Sequence, residues 1–286
     1  MKLVSFVHKG RPSYGLAFEH HVREASAGLR ARFADLRSLI GSGACLELQE
    51  DAGGAEFDAT ELRFAPAIPN PDKILCVGVN YRPHIKEMGR QVPNHPVVFV
   101  RFPGSLVGHG EPIIRPFVSE QFDFEGELAV IVGKRARHVA RESALEYIAG
   151  YCCFMDGSIR DWQRHTPQFT AGKNFHQSGA MGPCLVTADE IPDPSVLQLT
   201  TFVNGEVMQR GQVSDLVFDI PALIEYCSTF AELVPGDVIA TGTPGGVGAA
   251  RMPPIWLKAG DVVEVEIPGV GLLRSPVDDE RALATA

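Results

Sequence analysis

The stretch FDFEGELAVIVG, residues 122–133, decides how the rest of the sequence is interpreted. Side chains two apart in a β-strand share a face, so Asp123, Glu125 and Glu127 are expected to point the same way. The unbroken apolar run at residues 128–132 is typical of a strand that is covered on both faces. We therefore expect three carboxylates at the rim of a doubly covered sheet.

Short strands of this kind recur along most of the sequence, separated by glycine and proline turns. The dipeptide Asn204-Gly205 predicts a hairpin, because both residues accept a positive φ. Further strands are predicted at residues 74–79, 97–100, 124–132, 151–155, 199–203, 238–240, 262–267 and 271–274. Helical patterns are fewer, at residues 33–40, 143–148, 158–165 and 221–230.

Hairpins joined by turns favour an α+β fold that is mostly β, a mixed β-sandwich or rolled sheet, over a doubly wound sheet. Three prolines within residues 66–71 force an extended backbone and place a boundary there. We predict a small N-terminal domain at residues 1–65 and a larger catalytic domain at residues 66–286.

Composition excludes several classes of function. The 286 residues carry 26 Lys and Arg against 35 Asp and Glu, a net charge of −9, and no basic block. Binding to nucleic acid or to an anionic membrane is therefore not expected. No apolar run is long enough to span a bilayer, and the N-terminal apolar stretch is too short for a signal peptide, so we expect a cytoplasmic protein.

The acidic strand has two interpretations. An exposed edge strand can carry acids that prevent edge pairing. Alternatively, Glu125 and Glu127 bind a metal ion, and Asp156, which follows a second apolar strand, is the third ligand. Carboxylates select Mg²⁺ or Mn²⁺, and less often Ca²⁺, whereas zinc would require His or Cys. Asp156 by itself is also compatible with a helix N-cap.

Two further pairs of polar residues could bind a substrate or transfer a proton, but the local sequence pattern alone does not establish either role. Arg160 and Gln163 lie four and seven residues after Asp156, and on one helical face they could hold a substrate carboxylate. His84 and Glu87 are three apart after Pro83, where a carboxylate could orient a general base, although a plain surface helix gives the same pattern.

A cation and a glycine-rich turn complete the candidates. Lys173 lies in a loop bounded by glycine, where most lysines are simply solvated. Gly242 and Thr243 follow the strand at residues 238–240 and open a run of glycines. Bare backbone N–H groups and a hydroxyl suit a carboxylate, but a tight turn explains the glycines equally well. The run matches neither a phosphate loop nor a dinucleotide-binding fingerprint.

Taken together and in order, these motifs resemble the fumarylacetoacetate hydrolase family, in particular its bacterial acylpyruvase and fumarylpyruvate hydrolase-like branch. The stretches that carry the resemblance are CVGVNY at 76–81 with His84 and Glu87, FDFEGELAVIVGK at 122–134, DGSIRDWQ at 156–163, GKNF at 172–175, VNGE at 203–206 and PGDVIATGTPGGVG at 235–248.

The resemblance implies a rolled mixed β-sandwich, a homodimer and a small-molecule 2-oxo acid substrate. It implies Mg²⁺ or Mn²⁺ on Glu125, Glu127 and Asp156, with Lys173 near the developing negative charge. His84 and Glu87 resemble a dyad on a mobile lid that orders when substrate binds. The residues that would contact substrate are Tyr81, Arg160, Gln163, Gly242 and Thr243. His176 and Met181 depart from the family pattern, so they leave the identity of the substrate open.

We expect a metal-dependent hydrolase that cleaves a C–C bond in an acylpyruvate or related β-diketone acid, releasing pyruvate and a carboxylic acid. His84, aligned by Glu87, would activate the water. The same chemistry also serves oxaloacetate decarboxylation, and isomerisation or hydration of an unsaturated 2-oxo diacid in aromatic catabolism. A non-enzymatic alternative is a scaffold that binds a metal such as Ca²⁺ structurally.

Overall fold

A computed structural model describes residues 1–89 and 91–281 of the chain. Within this part the strands are β1 Lys2–His8, β2 Arg11–Ala17, β3 His21–Glu24, β4 Glu56–Asp58, β5 Arg63–Phe64, β6 Ile74–Gly78, β7 Val97–Arg101, β8 Leu106–Val107, β9 Ile113–Arg115, β10 Phe122–Asp123, β11 Gly126–Val132, β12 Ile148–Met155, β13 Ser158–Ile159, β14 Gly179–Thr187, β15 Gln198–Val203, β16 Glu206–Gln212, β17 Val238–Ala240, β18 Val262–Ile267 and β19 Gly271–Asp279.

The α-helices are short, apart from the last one. They are α1 Ala27–Arg32, α2 Leu36–Ser42, α3 Cys45–Glu50, α4 Arg82–Glu87, α5 Arg160–Gln163, α6 Thr170–Lys173 and α7 Ile220–Phe230. The predicted fold class, α+β and mostly β with mixed sheets, is confirmed. None of the helices described is long and apolar enough to cross a membrane.

A large mixed sheet organises the molecule, in the order β4-β3-β2-β1-β14-β12-β11-β17-β6-β7. Strand β11 lies inside it, antiparallel to both β12 and β17, and all seven of its residues are buried. A second sheet, in the order β16-β15-β18-β19-β9, packs on one side. The turn at Asn204-Gly205 joins β15 to β16, and both residues have positive φ, as predicted.

Two hydrophobic cores, one on each face of β11, explain why apolar and polar residues do not alternate at residues 128–132. Leu128 and Val130 belong to a core shared with residues of the second sheet such as Leu199. Ala129 and Ile131 belong to a separate core. Both faces of β11 are therefore apolar, and its polar residues occur only where the strand begins.

The N-terminal segment continues the large sheet rather than forming a separate one. Strand β1 pairs with β14, and Ser5 Oγ donates a hydrogen bond to the backbone carbonyl of Ala67. Helices α2 and α3 contribute Leu36, Leu39 and Leu48 to the second core. The predicted boundary at residue 65 coincides with the end of β5, and the division into two domains stays a prediction.

Three local predictions differ from the structure. The strand predicted at residues 124–132 begins only at Gly126, because Phe124 and Glu125 lie between β10 and β11. The helix predicted at residues 158–165 covers only Arg160–Gln163, since Ser158 and Ile159 pair with β10. Pairing between distant strands overrides the local helical pattern there. The segment predicted as a helix at residues 143–148 is a 3₁₀ helix, Arg141–Tyr147.

Candidate active site

Three carboxylates meet where the hairpin of β11 and β12 opens. One oxygen of each of Glu125, Glu127 and Asp156 lies within 4.8 Å of the others, and all three residues are buried. The pairing of β11 with β12 places Gly126 opposite Met155, and the Asp156 N–H donates to the Glu125 carbonyl at 2.8 Å. The register of one hairpin therefore brings the predicted ligand set together.

A buried lysine neutralises two of these acids. Lys173, at the end of α6, donates from Nζ to Glu125 Oε2 at 2.6 Å and to Asp156 Oδ2 at 2.5 Å. Burial opposes the charged form of Lys173, but Asp156 and Glu125 raise its pKa above the usual value. The interpretation of Lys173 as a solvated loop residue is therefore wrong.

Glu127 has no comparable partner. Within the part of the chain that the structure describes it forms no ion pair, and its Oε2 accepts one hydrogen bond from the Gly242 N–H at 2.8 Å. Burial, followed by the nearby carboxylates of Asp156 and Glu125, raises the pKa of Glu127 well above its usual value. A divalent cation would relieve this repulsion, and three carboxylate oxygens are the donors that Mg²⁺ or Mn²⁺ prefers. The residues present therefore fit a hard divalent cation.

Arg160 forms ion pairs with two of the protein's own acids. Its Nε donates to Asp123 Oδ2 at 2.7 Å, its Nη2 to Glu125 Oε1 at 2.6 Å and its Nη1 to Gln163 Oε1 at 2.9 Å. Burial would raise the pKa of Glu125, but Lys173 and Arg160 lower it far below the usual range. Arg160 also lines the cavity, and its predicted role as a clamp for a substrate carboxylate stays a prediction, although its charge is already balanced by protein acids.

Asp123 and Asp156 also differ from their predicted surroundings. Asp123 lies beyond the strand break and accepts hydrogen bonds from the backbone N–H groups of Gly248 and Ala249, so it supports the glycine turn instead of joining the other two acids. Asp156 is not a helix N-cap, because α5 begins only at Arg160. Asp156, Arg160 and Gln163 therefore do not share one helical face.

Sequence reasoning missed Arg101, which holds the other oxygen of Asp156. Its fully buried side chain donates to Asp156 Oδ1 at 2.6 Å, to the Gly157 carbonyl at 2.9 Å and to Ser178 Oγ at 2.9 Å. It also donates to Ser105. An arginine at the end of the apolar strand β7 is the one signal in the sequence that could have indicated a buried acid partner.

The predicted pair of His84 and Glu87 forms on α4, with Pro83 in the first turn. His84 Nδ1 lies 3.0 Å from Glu87 Oε2, and the Gly246 N–H donates to Glu87 Oε1 at 2.9 Å. Partial burial works against ionisation of Glu87, but the hydrogen bonds from His84 and Gly246 lower its pKa below the usual value. An ionised Glu87 therefore fixes the orientation of a buried His84.

A cavity of about 420 Å³ lies in front of these groups. Part of the cavity wall is apolar and consists of Val77, Met88, Phe99 and Phe169. The cavity is also lined by Arg164, His165 and Thr166. Most of the residues predicted for the site line this cavity, namely His84, Glu125, Glu127, Asp156, Arg160, Gln163, Lys173 and Thr243.

Several residues expected near the substrate lie elsewhere. Tyr81 is fully buried in the first core, where its pKa is raised by burial, and it does not line the cavity. The Gly242 N–H is used by Glu127. His176 is exposed and Met181 is in the second core, so neither departure from the family pattern alters the cavity wall.

Thr243 lines the cavity, but its hydroxyl is largely committed to the protein. It donates to the Gly126 carbonyl at 2.8 Å and accepts from Gln209 Nε2 at 2.7 Å. Gln209 in turn accepts from the Gly126 N–H through Oε1 at 3.0 Å. These contacts hold the start of β11, and with it Glu125 and Glu127, against the glycine turn.

Fold and site together define a mostly β protein in which buried acids, a lysine and an oriented histidine face one cavity, which is an arrangement typical of an enzyme. The chain belongs to the fumarylacetoacetate hydrolase family: the family description "Fumarylacetoacetate (FAA) hydrolase C-terminal" matches residues 73–278. The predicted family is therefore confirmed.

Named relatives include both tautomerases and hydrolases. The chain is 42% identical over 220 residues to the human mitochondrial oxaloacetate tautomerase FAHD2A, covering 76% of this chain and 70% of that protein. It is similar in structure to a fumarylacetoacetate hydrolase of Exiguobacterium antarcticum, with a TM-score of 0.86, 34% identity and coverage of 98% and 100%. Maleylpyruvate hydrolase of Sphingobium sp. SYK-6, in complex with manganese (II) ion and pyruvate, has a TM-score of 0.81, 28% identity and coverage of 98% and 100%.

Proposed function

We propose that this protein is a divalent-metal-dependent enzyme that interconverts the keto and enol forms of a 2-oxo acid of the oxaloacetate type. The observation that carries the proposal is that the oriented His84 and the triad of Glu125, Glu127 and Asp156 line one cavity. The identity of 42% to a protein named oxaloacetate tautomerase supports the choice of substrate and reaction.

The triad would hold Mg²⁺ or Mn²⁺, which supplies Lewis acidity toward the 2-oxo group of the substrate. The manganese in the maleylpyruvate hydrolase complex supports the choice of a divalent ion. Lys173 Nζ and Arg160 keep Glu125 ionised and fix its orientation. The ammonium of Lys173 also adds positive charge beside the oxygen on which negative charge develops during enolisation.

His84 is the proposed proton-transfer group. Its Nδ1–H donates to the Glu87 carboxylate, which leaves Nε2 with a free lone pair. Nε2 would take the proton from the carbon next to the 2-oxo group, and a proton would be returned to the oxygen, so mass is conserved. Glu87 stabilises the charged imidazole while it holds the proton.

Hydrolysis of a C–C bond in an acylpyruvate is the second candidate. The cavity of about 420 Å³ has an apolar wall, which could accommodate the acyl end of a longer substrate. The structural likeness to maleylpyruvate hydrolase also supports it. In this reaction His84 would take a proton from water instead of from carbon.

The homodimer implied by the family resemblance stays a prediction.

A substrate panel with Mg²⁺ or Mn²⁺ separates the candidates. We expect the enol absorbance of freshly prepared enol-oxaloacetate to decay faster with enzyme, without any new mass in mass spectrometry. Acetylpyruvate and fumarylpyruvate are tested alongside. Release of pyruvate from a diketone acid, with no acceleration of the enol decay, would establish the hydrolase instead. Release of CO₂ would indicate decarboxylation.

A further inference from the structure

The buried charges around the site do not cancel. In the triad and the buried ion pairs that contact it, four carboxylates face three cationic side chains, so one negative charge remains when these acids are ionised; Glu87, which contacts His84 and is 25% exposed, lies outside this group. A divalent cation reverses this to one positive charge, which a single substrate carboxylate cancels. The residues counted are Asp123, Glu125, Glu127, Asp156, Arg101, Arg160 and Lys173.

A diacid substrate therefore needs one more cation for its second carboxylate. Arg160 and Lys173 are already bound to protein carboxylates. Among the described arginines and lysines that line the cavity, Arg164 is the one without an ion pair. It follows α5 directly, and its backbone N–H donates to the Arg160 carbonyl at 3.2 Å.

The position of Arg164 suits the far end of a substrate. The acids and His84 are buried, whereas Arg164 lines the same cavity and is exposed, so its side chain can reach the solvent-facing end of the cavity. Val77, Phe99 and Phe169 make part of the wall apolar, and a second carboxylate placed against them would be desolvated without a partner. A guanidinium at the mouth can bind a carboxylate with two parallel hydrogen bonds.

We propose that Arg164 binds the distal carboxylate of a 2-oxo diacid and thereby selects dicarboxylate over monocarboxylate substrates. The inference rests on the proposed function only for the 2-oxo acid class of ligand, and not on which reaction follows. It adds a second carboxylate-binding arginine to the site, at the far end of the substrate from the carboxylate beside the metal that was predicted to contact Arg160.

A matched pair of ligands tests the proposal by binding alone. 2-Oxoglutarate and 2-oxopentanoate have the same chain length and differ in the distal carboxylate. Their dissociation constants are measured by calorimetry with Mg²⁺ for wild type, Arg164→Gln and Arg164→Lys. Arg11→Gln, an exposed residue on β2 away from the cavity, is the control with the same change in net charge.

We expect Arg164→Gln to weaken binding of 2-oxoglutarate about tenfold, as the loss of a hydrogen-bonded contact to a charged group would. Binding of 2-oxopentanoate should change less than about twofold, and Arg164→Lys should retain part of the preference. The Arg11→Gln control should match wild type. Higher salt should reduce the diacid preference of the wild type.

The proposal is overturned if wild type shows no diacid preference, or if Arg164→Gln affects both ligands equally or neither. Failure of the proposed function is a separate result. If enol-oxaloacetate is not turned over while the diacid preference depends on Arg164, the tautomerase proposal fails and the assignment of Arg164 stands.

Discussion

Arg101 Nη1 lies 2.6 Å from Asp156 Oδ1, and both side chains are completely buried. The same Asp156 carboxylate receives Lys173 Nζ on its other oxygen, so each oxygen has its own cation. Asp156 is therefore held by an arginine that lies outside the cavity wall. This arrangement leads to the first prediction, because removal of one buried partner leaves the other charge uncompensated.

Arg101→Met should destabilise the protein by about 3 kcal/mol, at the lower end for a broken buried pair because Lys173 still neutralises Asp156. Urea unfolding measures the change. Arg135→Met is the control, since its pair with Glu232 is more than half exposed, and it should cost less than about 1 kcal/mol. Equal losses in both variants would contradict a special role for the buried pair.

Replacement of the proposed base tests whether the site is catalytic at all. His84→Ala should lower kcat by about 10²–10⁴-fold, the usual contribution of a positioned general base. Glu87→Gln should lower it less, because the imidazole remains. Mn²⁺ affinity should be unchanged in both, since neither residue belongs to the triad. Full turnover by His84→Ala would exclude His84 as the base, whereas Mn²⁺ binding by wild type without turnover of any substrate in the panel would favour the metal-binding scaffold.

Metal binding should stabilise the folded chain. At a free concentration of 100 times Kd, Mg²⁺ or Mn²⁺ should add about 2.7 kcal/mol, seen as a rise in Tm over the sample in EDTA. Glu127→Gln should lose most of this rise. In EDTA the same variant should be at least as stable as wild type, because it removes a buried carboxylate that lacks an ion pair among the described residues. A metal-induced rise retained in Glu127→Gln would exclude Glu127 as a ligand.

The hydrogen bonds of Glu87 predict a pH dependence of stability. Its pKa in the folded protein lies below the usual value, so the unfolded chain binds the proton more tightly. Its contribution is therefore complete above the unfolded pKa of about 4.3 and is lost as the pH falls through the lower, folded pKa. Urea unfolding should be measured for wild type and Glu87→Gln between pH 3 and pH 7. The gap between their free energies of unfolding should close only on the acid side. A gap that widens with acid would contradict the assignment.

The parts of the site that local geometry controls could be predicted from the sequence. A spacing of two residues keeps Glu125, just before β11, close to Glu127 within it, and the helical repeat brings Glu87 to His84, as the structure shows. The apolar run after Glu127 correctly predicts a doubly covered strand. Each of these relationships depends on residues close together in the chain.

The parts that depend on distant contacts could not be predicted. Arg101 lies 55 positions from Asp156, and its strand otherwise has only apolar residues. The sequence also does not distinguish an arginine that awaits a substrate from one that is paired with Asp123, as Arg160 is. Ser158 and Ile159 were expected in a helix because their strand partners in β10 are far away along the chain.

The loop from Gly242 to Gly246 contacts both halves of the site. Its first backbone N–H is bonded to Glu127, and its last is bonded to Glu87. The length of this loop therefore sets the spacing between the acid cluster and the helix that carries His84. A residue inserted or deleted there would shift the two groups out of alignment even with every functional side chain intact, so variation among homologues should leave the length of this loop unchanged while altering the cavity wall.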